Sequence, residues 1–430
     1  MKNALRIFII ILSFLYAPPN TSYAQEVFTW EDCLAEAKEN NPDLIYAAEG
    51  VNIQEAGKDI TASGFYPQTS ANIDASTSKT STTSSSGVTT SATNDLYSYG
   101  VSGTQLIFDG FKSINAVKAA SENVKAAQYA YRFTSSDVRL KLRSAFINLL
   151  RVQELTRVAE EIVKIRKDNL ILITLQHQSG LEHQGALLTA EANAAEAKFE
   201  LSQAKRNVEF MQRLLTKELG RKEFKPISVN GEFIVIETAK EKPNFEELVK
   251  NNPSVLQAIA KENANSFGIK SAYGNFAPQI SGSASANKKS PHWPPENDQW
   301  NLGLGVSLPL FEGGLKAATV SQAQAAYNQA VADELSIRNA AIVTLEQTWA
   351  ALQDAIETID VQHKSLGASQ ERAKIAQAQY STGFISFDNW IIIEDDLVRA
   401  KKAYLEAQAN ALLAEANWIQ AKGETLEYAK

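Results

Sequence analysis

The chain has 430 residues, with 49 acidic side chains against 42 basic ones for a net charge of -7, 44% hydrophobic residues and a single cysteine. An acidic balance argues against nucleic acid as a partner. One cysteine excludes an internal disulfide, so packing or oligomerisation has to hold an exported form together, and Cys33 reads as a small buried helix residue.

Lys2 and Arg6 precede the apolar stretch Ile7 to Leu15, and Ser22-Tyr23-Ala24 offers small residues where a leader peptidase cuts. Residues 1–24 therefore read as a secretory signal, well short of the roughly 20 apolar residues that span a bilayer. No other run is long and apolar enough for a helical span, so membrane entry would require a closed barrel.

The mature chain states its pattern twice. NNPDL at Asn40–Leu44 returns as NNPSV at Asn251–Val255, and FYPQ at Phe65–Gln68 returns as FAPQ at Phe276–Gln279, both displaced by 211 positions. LIFDGF at Leu106–Phe111 answers LPLFEGG at Leu308–Gly314, and HQSGL at His177–Leu181 answers YSTGF at Tyr380–Phe384, now displaced by 203. One change of offset among four landmarks marks an internal duplication far longer than a solenoid repeat. The repeats are set at 25–220 and 244–423, joined by 221–243 and followed by a tail, 424–430.

In chain order, the first helix starts with Thr29 as cap, Asp32 reciprocating and Phe28 placed to staple against Cys33, while Asn244 and Glu247 play the same parts in the second repeat. Pro42 and Pro253 mark a matched kink or a break between two short helices. After Pro67 the period changes to two over Ser70–Ser76, and the Ser/Thr tract from Ser76 to Thr93 is expected to be a mobile exposed loop. The chain returns with Tyr97, Tyr99, Val101 and Ile107 on one face. In the second repeat Trp300, Leu302, Leu304, Val306, Leu308 and Leu310 alternate with small or polar residues. Apolar outside and small or polar inside fits a lipid-facing barrel wall. Four strands cannot close around a channel, so several copies must share the barrel.

A long helix follows in each repeat, Lys112 to about Ser179 and Leu315 to about Thr382, free of proline and about 100 Å long at 1.5 Å per residue. Apolar residues at three and four spacing, such as Leu142, Phe146, Leu149 and again Leu345, Trp349, Leu352, indicate coiled-coil packing. Gly180 and Gly383 end these rods before a tight reversal. Returning helices are expected over Glu182–Gly220 and Ser386–Gly423, with the short first helix and the returning helix stacking along each rod. Between the repeats, ISV and FIVIE within Arg221–Lys242 suggest a small sheet.

The fold class is thus mainly α with a small β part. Taken together, the opening FTWEDCLAEAKENNPDL, the FYPQ and FAPQ strand entries, the strand-to-rod turns, the tip glycines and the closing DDLVRAKKAYLEAQANALLAEANWIQAKG resemble the TolC family of outer-membrane efflux proteins over nearly the whole mature chain. The resemblance implies a homotrimer in outer-membrane lipid. Its 12-stranded barrel would stand on a 12-helix periplasmic tunnel whose tips meet a periplasmic adaptor and, through it, an inner-membrane pump or ABC exporter.

No catalytic constellation, cofactor loop or metal site is expected; His177 and His183 flank a tip glycine without the spacing of a helical metal pair. Relatives often carry aspartates at the sixth and ninth positions past the second tip glycine, where this chain has Asn389 and Ile392. The constriction is then either an acidic ring shifted to Asp388, with Glu394 beyond, or an apolar one using Trp390 to Ile393. Alternatively, Glu394 to Asp396 are helix surface charges. Gly180, Leu181, Gly383, Phe384, Ser386 and Phe387 are the expected adaptor contacts, with Phe384 and Phe387 alternatively packed inside the hairpin. Tyr97, Tyr99, Val101, Trp300, Leu302, Leu304 and Val306 are the expected lipid-facing wall. The competing reading is a trimeric adhesive surface fibre, which fits duplicated internal hairpins less well.

Overall fold

The computed structural model describes residues 26–235 and 241–428; the expected signal segment, part of FIVIE and the last two residues of the tail lie outside them. These residues form β1 (Glu26–Phe28), α1 (Trp30–Asn40), α2 (Pro42–Ser63), β2 (Gln68–Thr83), β3 (Thr89–Phe108), α3 (Lys112–Gln178), α4 (Gln184–Glu218) and β4 (Ile227–Val229). The second half adds α5 (Phe245–Leu248), a 3-10 turn, α6 (Pro253–Gly274), β5 (Gln279–Ser290), β6 (Asn297–Ser307), α7 (Leu315–Ser381) and α8 (Phe387–Ala421). They group into two compact units, the first from 26–40, Leu142–Ile234 and Thr358–Leu413, the second from Asn41–Lys141, Val235–Glu357 and Ala414 onward.

In the first unit, the capping box at the start of α1 is reciprocal: the Asp32 N–H donates to Thr29 Oγ1 at 3.3 Å and the Thr29 N–H to Asp32 Oδ2 at 3.0 Å. Cys33 is fully buried, and burial pushes its thiol up to about 12. That position leaves it an inert packing residue. β1 pairs in parallel with β4. ISV thus forms a strand of a small sheet as expected, but its partner is Glu26–Phe28; residues 233–235 of FIVIE are irregular and the rest of it lies outside the described residues. Arg221 fixes the arrangement, donating to Glu26 at 2.9 Å and in a fork to Glu36, with its guanidinium 4.9 Å from the Phe28 ring centroid. Gln153 completes the far edge of β4, donating to the Val229 carbonyl at 2.9 Å and accepting its N–H at 3.0 Å.

In the second unit, the chain breaks rather than kinks before each matched proline. Asn41 caps α2 and Asn252 caps α6 with their side chains, each with proline at the first helical position, where its missing N–H costs nothing. The core gathers Phe245, Val249, Val255, Leu345, Leu352 and Trp418. The sheet is antiparallel throughout, in the order β2-β3-β5-β6.

The Ser/Thr tract corrects the expectation of a mobile loop. It lies within two strands of 16 and 20 residues, joined at Ser84–Val88, where the Ser84 N–H donates to the Val88 carbonyl at 2.9 Å. Hydroxyls meet across the ladder at Ser81–Ser91 (2.8 Å) and Thr83–Thr89 (3.0 Å), and Thr77 donates to Asp95 at 2.8 Å. Paired backbone and β-branched threonines supply the order that the tract's lack of apolar bulk had seemed to deny it. β6 ends at Ser307, short of the alternation expected to reach Leu310, since Pro309 has no N–H to give the ladder.

Candidate functional site

The tips are built by backbone chemistry first. Gly180 (φ 71°) and Gly383 (φ 77°) adopt the left-handed conformation that closes a helix. The N–H one residue beyond each reaches back five residues, Leu181 to the Gln176 carbonyl at 2.8 Å and Phe384 to the Gln379 carbonyl at 2.9 Å. His183 then caps α4, accepting the Ala186 N–H at 3.0 Å on Nδ1, while His177 Nδ1 lies 3.1 Å from the Glu182 carbonyl.

Between the two hairpins lies an apolar knot of Ile173, Ala186, Ala190, Tyr380, Phe387 and Trp390. Tyr380 stacks on Trp390, and Phe387 meets both rings edge-on, at 6.3 and 6.2 Å. The Tyr380 hydroxyl lies 2.6 Å from Gln176 Oε1 and 2.9 Å from Glu182 Oε1. One proton serves two acceptors, so the phenol ties the second hairpin to both sides of the first tip. Burial, reinforced by the Glu182 carboxylate, drives the phenol's pKa upward, so it stays protonated.

Of the expected tip residues, Leu181 is 77% and Phe384 82% exposed, and Ser386 is also exposed, its Oγ accepting the Asn389 N–H at 3.4 Å. Of the two alternatives for Phe387 the packed one holds, at 2% exposure, so it is not an exposed contact, whereas Phe384 does not pack inside. Asp388, Asn389 and Ile392 face outward on α8, whereas Trp390 and Ile391 are buried in the knot and cannot line an opening. Glu394 is likewise corrected from a lining residue to a buried one, because the register of α8 that exposes Ile392 turns it inward. Burial raises its pKa, with the Arg166 charge opposing, and Arg166 is itself committed to an ion pair with Asp395. Asp396 is half-buried and pairs with Arg372 and Arg399.

On the sheet, Ala71, Val101, Ala286 and Trp300 form one cross-strand row, and Ile73, Tyr99, Lys288 and Asp298 the next. Trp300, Leu302, Leu304 and Val306 stand out from this face, each at least 65% exposed. Tyr97 is half-buried, and both it and Tyr99 meet the Trp293 ring edge-on at 6.3 Å. Lys288 and Asp298 pair at 3.3 Å beside them. Contiguous exposed apolar strips of this kind mark surfaces that meet a partner or a membrane. Among the described residues, no helix is long and apolar enough to cross a membrane and no group of three or more potential metal ligands occurs.

The outer membrane efflux protein family model matches in two stretches, residues 33–221 and 244–426. BepC of Brucella suis, an outer membrane efflux protein, is 21% identical over 403 residues, covering 92% of this chain and 85% of BepC. Among solved structures, a membrane protein of Pseudomonas aeruginosa superposes with a TM-score of 0.81 at 18% identity, covering 91% of this chain and 93% of that one. The outer membrane protein VceC of Vibrio cholerae does so at 0.79 and 19%, covering 92% and 96%. The duplicated rods, the four-stranded sheet with one apolar face and the match over both stretches place this chain in the family of outer membrane efflux proteins, the channels that carry efflux across the outer membrane.

Proposed function

We propose that the chain works as a passive conduit in which three copies join edge strand β6 of one sheet to edge strand β2 of the next. The resulting twelve-stranded barrel sits in outer-membrane lipid, with Tyr97, Tyr99, Val101, Trp300, Leu302, Leu304 and Val306 as its lipid-facing wall. The two repeats, 25–220 and 244–423, supply equivalent halves of each third. One observation carries the reading: the sheet has two open edges and an exposed apolar face. Four strands are too few to enclose a pore, and barrels abolish free edges.

At the tips, Gly180, Leu181, Gly383, Phe384 and Ser386 meet a periplasmic adaptor that couples the conduit to an inner-membrane pump. Asp388, Asn389 and Ile392, repeated around the threefold axis, form the constriction. Docking opens it by separating Tyr380 from Gln176 and Glu182. No chemistry is asked of the protein itself; energy comes from the pump.

The test is planar-bilayer conductance of the purified oligomer. Native protein should form channels, and Asp388→Ala should weaken their preference for cations. Absence of any channel, or recovery of the mature protein with the soluble periplasm, sinks the reading.

A further inference from the structure

The strands of the sheet carry six charged side chains: Asp74, Lys79, Asp95, Lys288, Lys289 and Asp298. Alternation along a strand and pairing across strands divide them between the two faces. Lys288 and Asp298 share the row of Tyr99, while Asp95 lies two residues from Tyr97 on β3, and Lys79 is two residues along β2 from Asp95's partner Thr77. Those four belong to the face of the aromatic rings. Asp74 and Lys289 belong to the other.

That second face is otherwise uncharged, with side chains such as Ser70, Asn72, Ser102, Ser285, Asn287 and Asn301. Its two charges occupy the same row. Asp74 is opposite Ser98, Ser98 opposite Lys289, and Lys289 opposite Asn297, the last rung of the β5–β6 ladder. Two strand spacings separate the carboxylate's position from the ammonium's, about 10 Å. This is close to the Debye length of about 8 Å at physiological salt, so the two fields overlap.

We infer that Asp74 and Lys289 form a ring of alternating charge at the mouth of the barrel, three of each sign in the trimer, which makes this wall indifferent to the sign of a solute's charge. The inference rests on the three-copy barrel proposed above. A balanced ring attracts neither ion class over the diameter of a pore, and a hydroxyl and amide lining adds no sign of its own. Loss of either partner leaves three like charges facing one another across the opening.

The experiment is reversal-potential measurement on the full-length oligomer in a KCl gradient, in both the native and the Tyr380→Phe background so that the tips do not mask the mouth. Asp74→Asn should move the reversal potential toward anion selectivity and Lys289→Gln toward cation selectivity. The double variant should return it to the native value, and Lys79→Gln on the opposite face should leave it unmoved. Both shifts should shrink in 1 M salt, where the Debye length is about 3 Å. Single variants that shift in the same direction, or not at all in channels that conduct, overturn the ring. A preparation that forms no channels overturns the barrel and the ring with it.

Discussion

The ring of Tyr380 lies flat against that of Trp390, centroids 4.5 Å apart and planes 11° from parallel. One face of the phenol is thereby committed to its own hairpin while its hydroxyl is committed to the other, through Gln176 and Glu182. Tyr380→Phe keeps the stack and deletes the tie. A hydrogen bond to a charged group contributes about 1.5–3 kcal/mol, so losing the Glu182 contact weakens the closed tip first. Higher single-channel conductance with a small drop in melting temperature is the expected result. Trp390→Ala, by contrast, should cost about 3–5 kcal/mol by emptying the knot.

Two acids, the exposed Glu427 and the buried Glu394, should respond to pH in opposite directions. Glu427 accepts hydrogen bonds from Ser135 at 2.8 Å and Tyr131 at 2.9 Å, and although desolvation of the carboxylate disfavours its charge, these bonds hold its pKa below the ordinary 4.5. Its contribution is complete above 4.5 and disappears as pH falls through the lower folded-state value. Glu394 has its pKa raised by burial, so the folded state takes up its proton first and gains stability as pH falls toward 4.5. Glu394→Gln should therefore raise the melting temperature near neutral pH, and Glu427→Gln should lower it there and flatten the acid limb.

Arg221→Lys should not behave as a conservative change. Lysine keeps the charge but loses the fork on Glu36, the reach to Glu26 and the planar contact over Phe28. A loss of about 1–3 kcal/mol is expected in urea melts, with faster hydrogen exchange at Val27 and Ser228, whose strands it secures.

Two glycines should answer substitution by alanine with opposite signs. Gly423 ends α8 at φ 81°, and a Cβ there would meet Pro253 Cδ at 2.4 Å. Gly367 lies inside α7 with no atom within 4 Å of an added Cβ. Thermal melts should show Gly423→Ala destabilised and Gly367→Ala stabilised by roughly 0.5–1 kcal/mol.

The helices were legible because a proline-free run of 67 residues with apolar three-and-four spacing has one regular solution, and because a proline cannot continue the helix before it. Composition misled at the Ser/Thr tract: whether Ser81 is ordered depends on Ser91 opposite it, which composition does not report. The tip knot was hidden for a different reason. Tyr380 and Glu182 are 198 positions apart and lie beside tight turns, where no periodicity speaks. A signal did exist: Tyr380 and His177 occupy the same place in the two repeats, three residues before the tip glycines, and both reach across to Glu182.

The paired Ser/Thr strands also explain the shift in offset from 211 to 203. Ile73 opposite Tyr99 corresponds to Ala284 opposite Leu302, and Ser78 opposite Asn94 to Lys289 opposite Asn297, where the second ladder stops. The first continues for five more rungs, to Thr83 opposite Thr89. The two hairpins are therefore interchangeable parts cut to different lengths. A graft that exchanges everything beyond those matched rungs would move the long ribbon from one repeat to the other without displacing a single side chain from the face it now occupies.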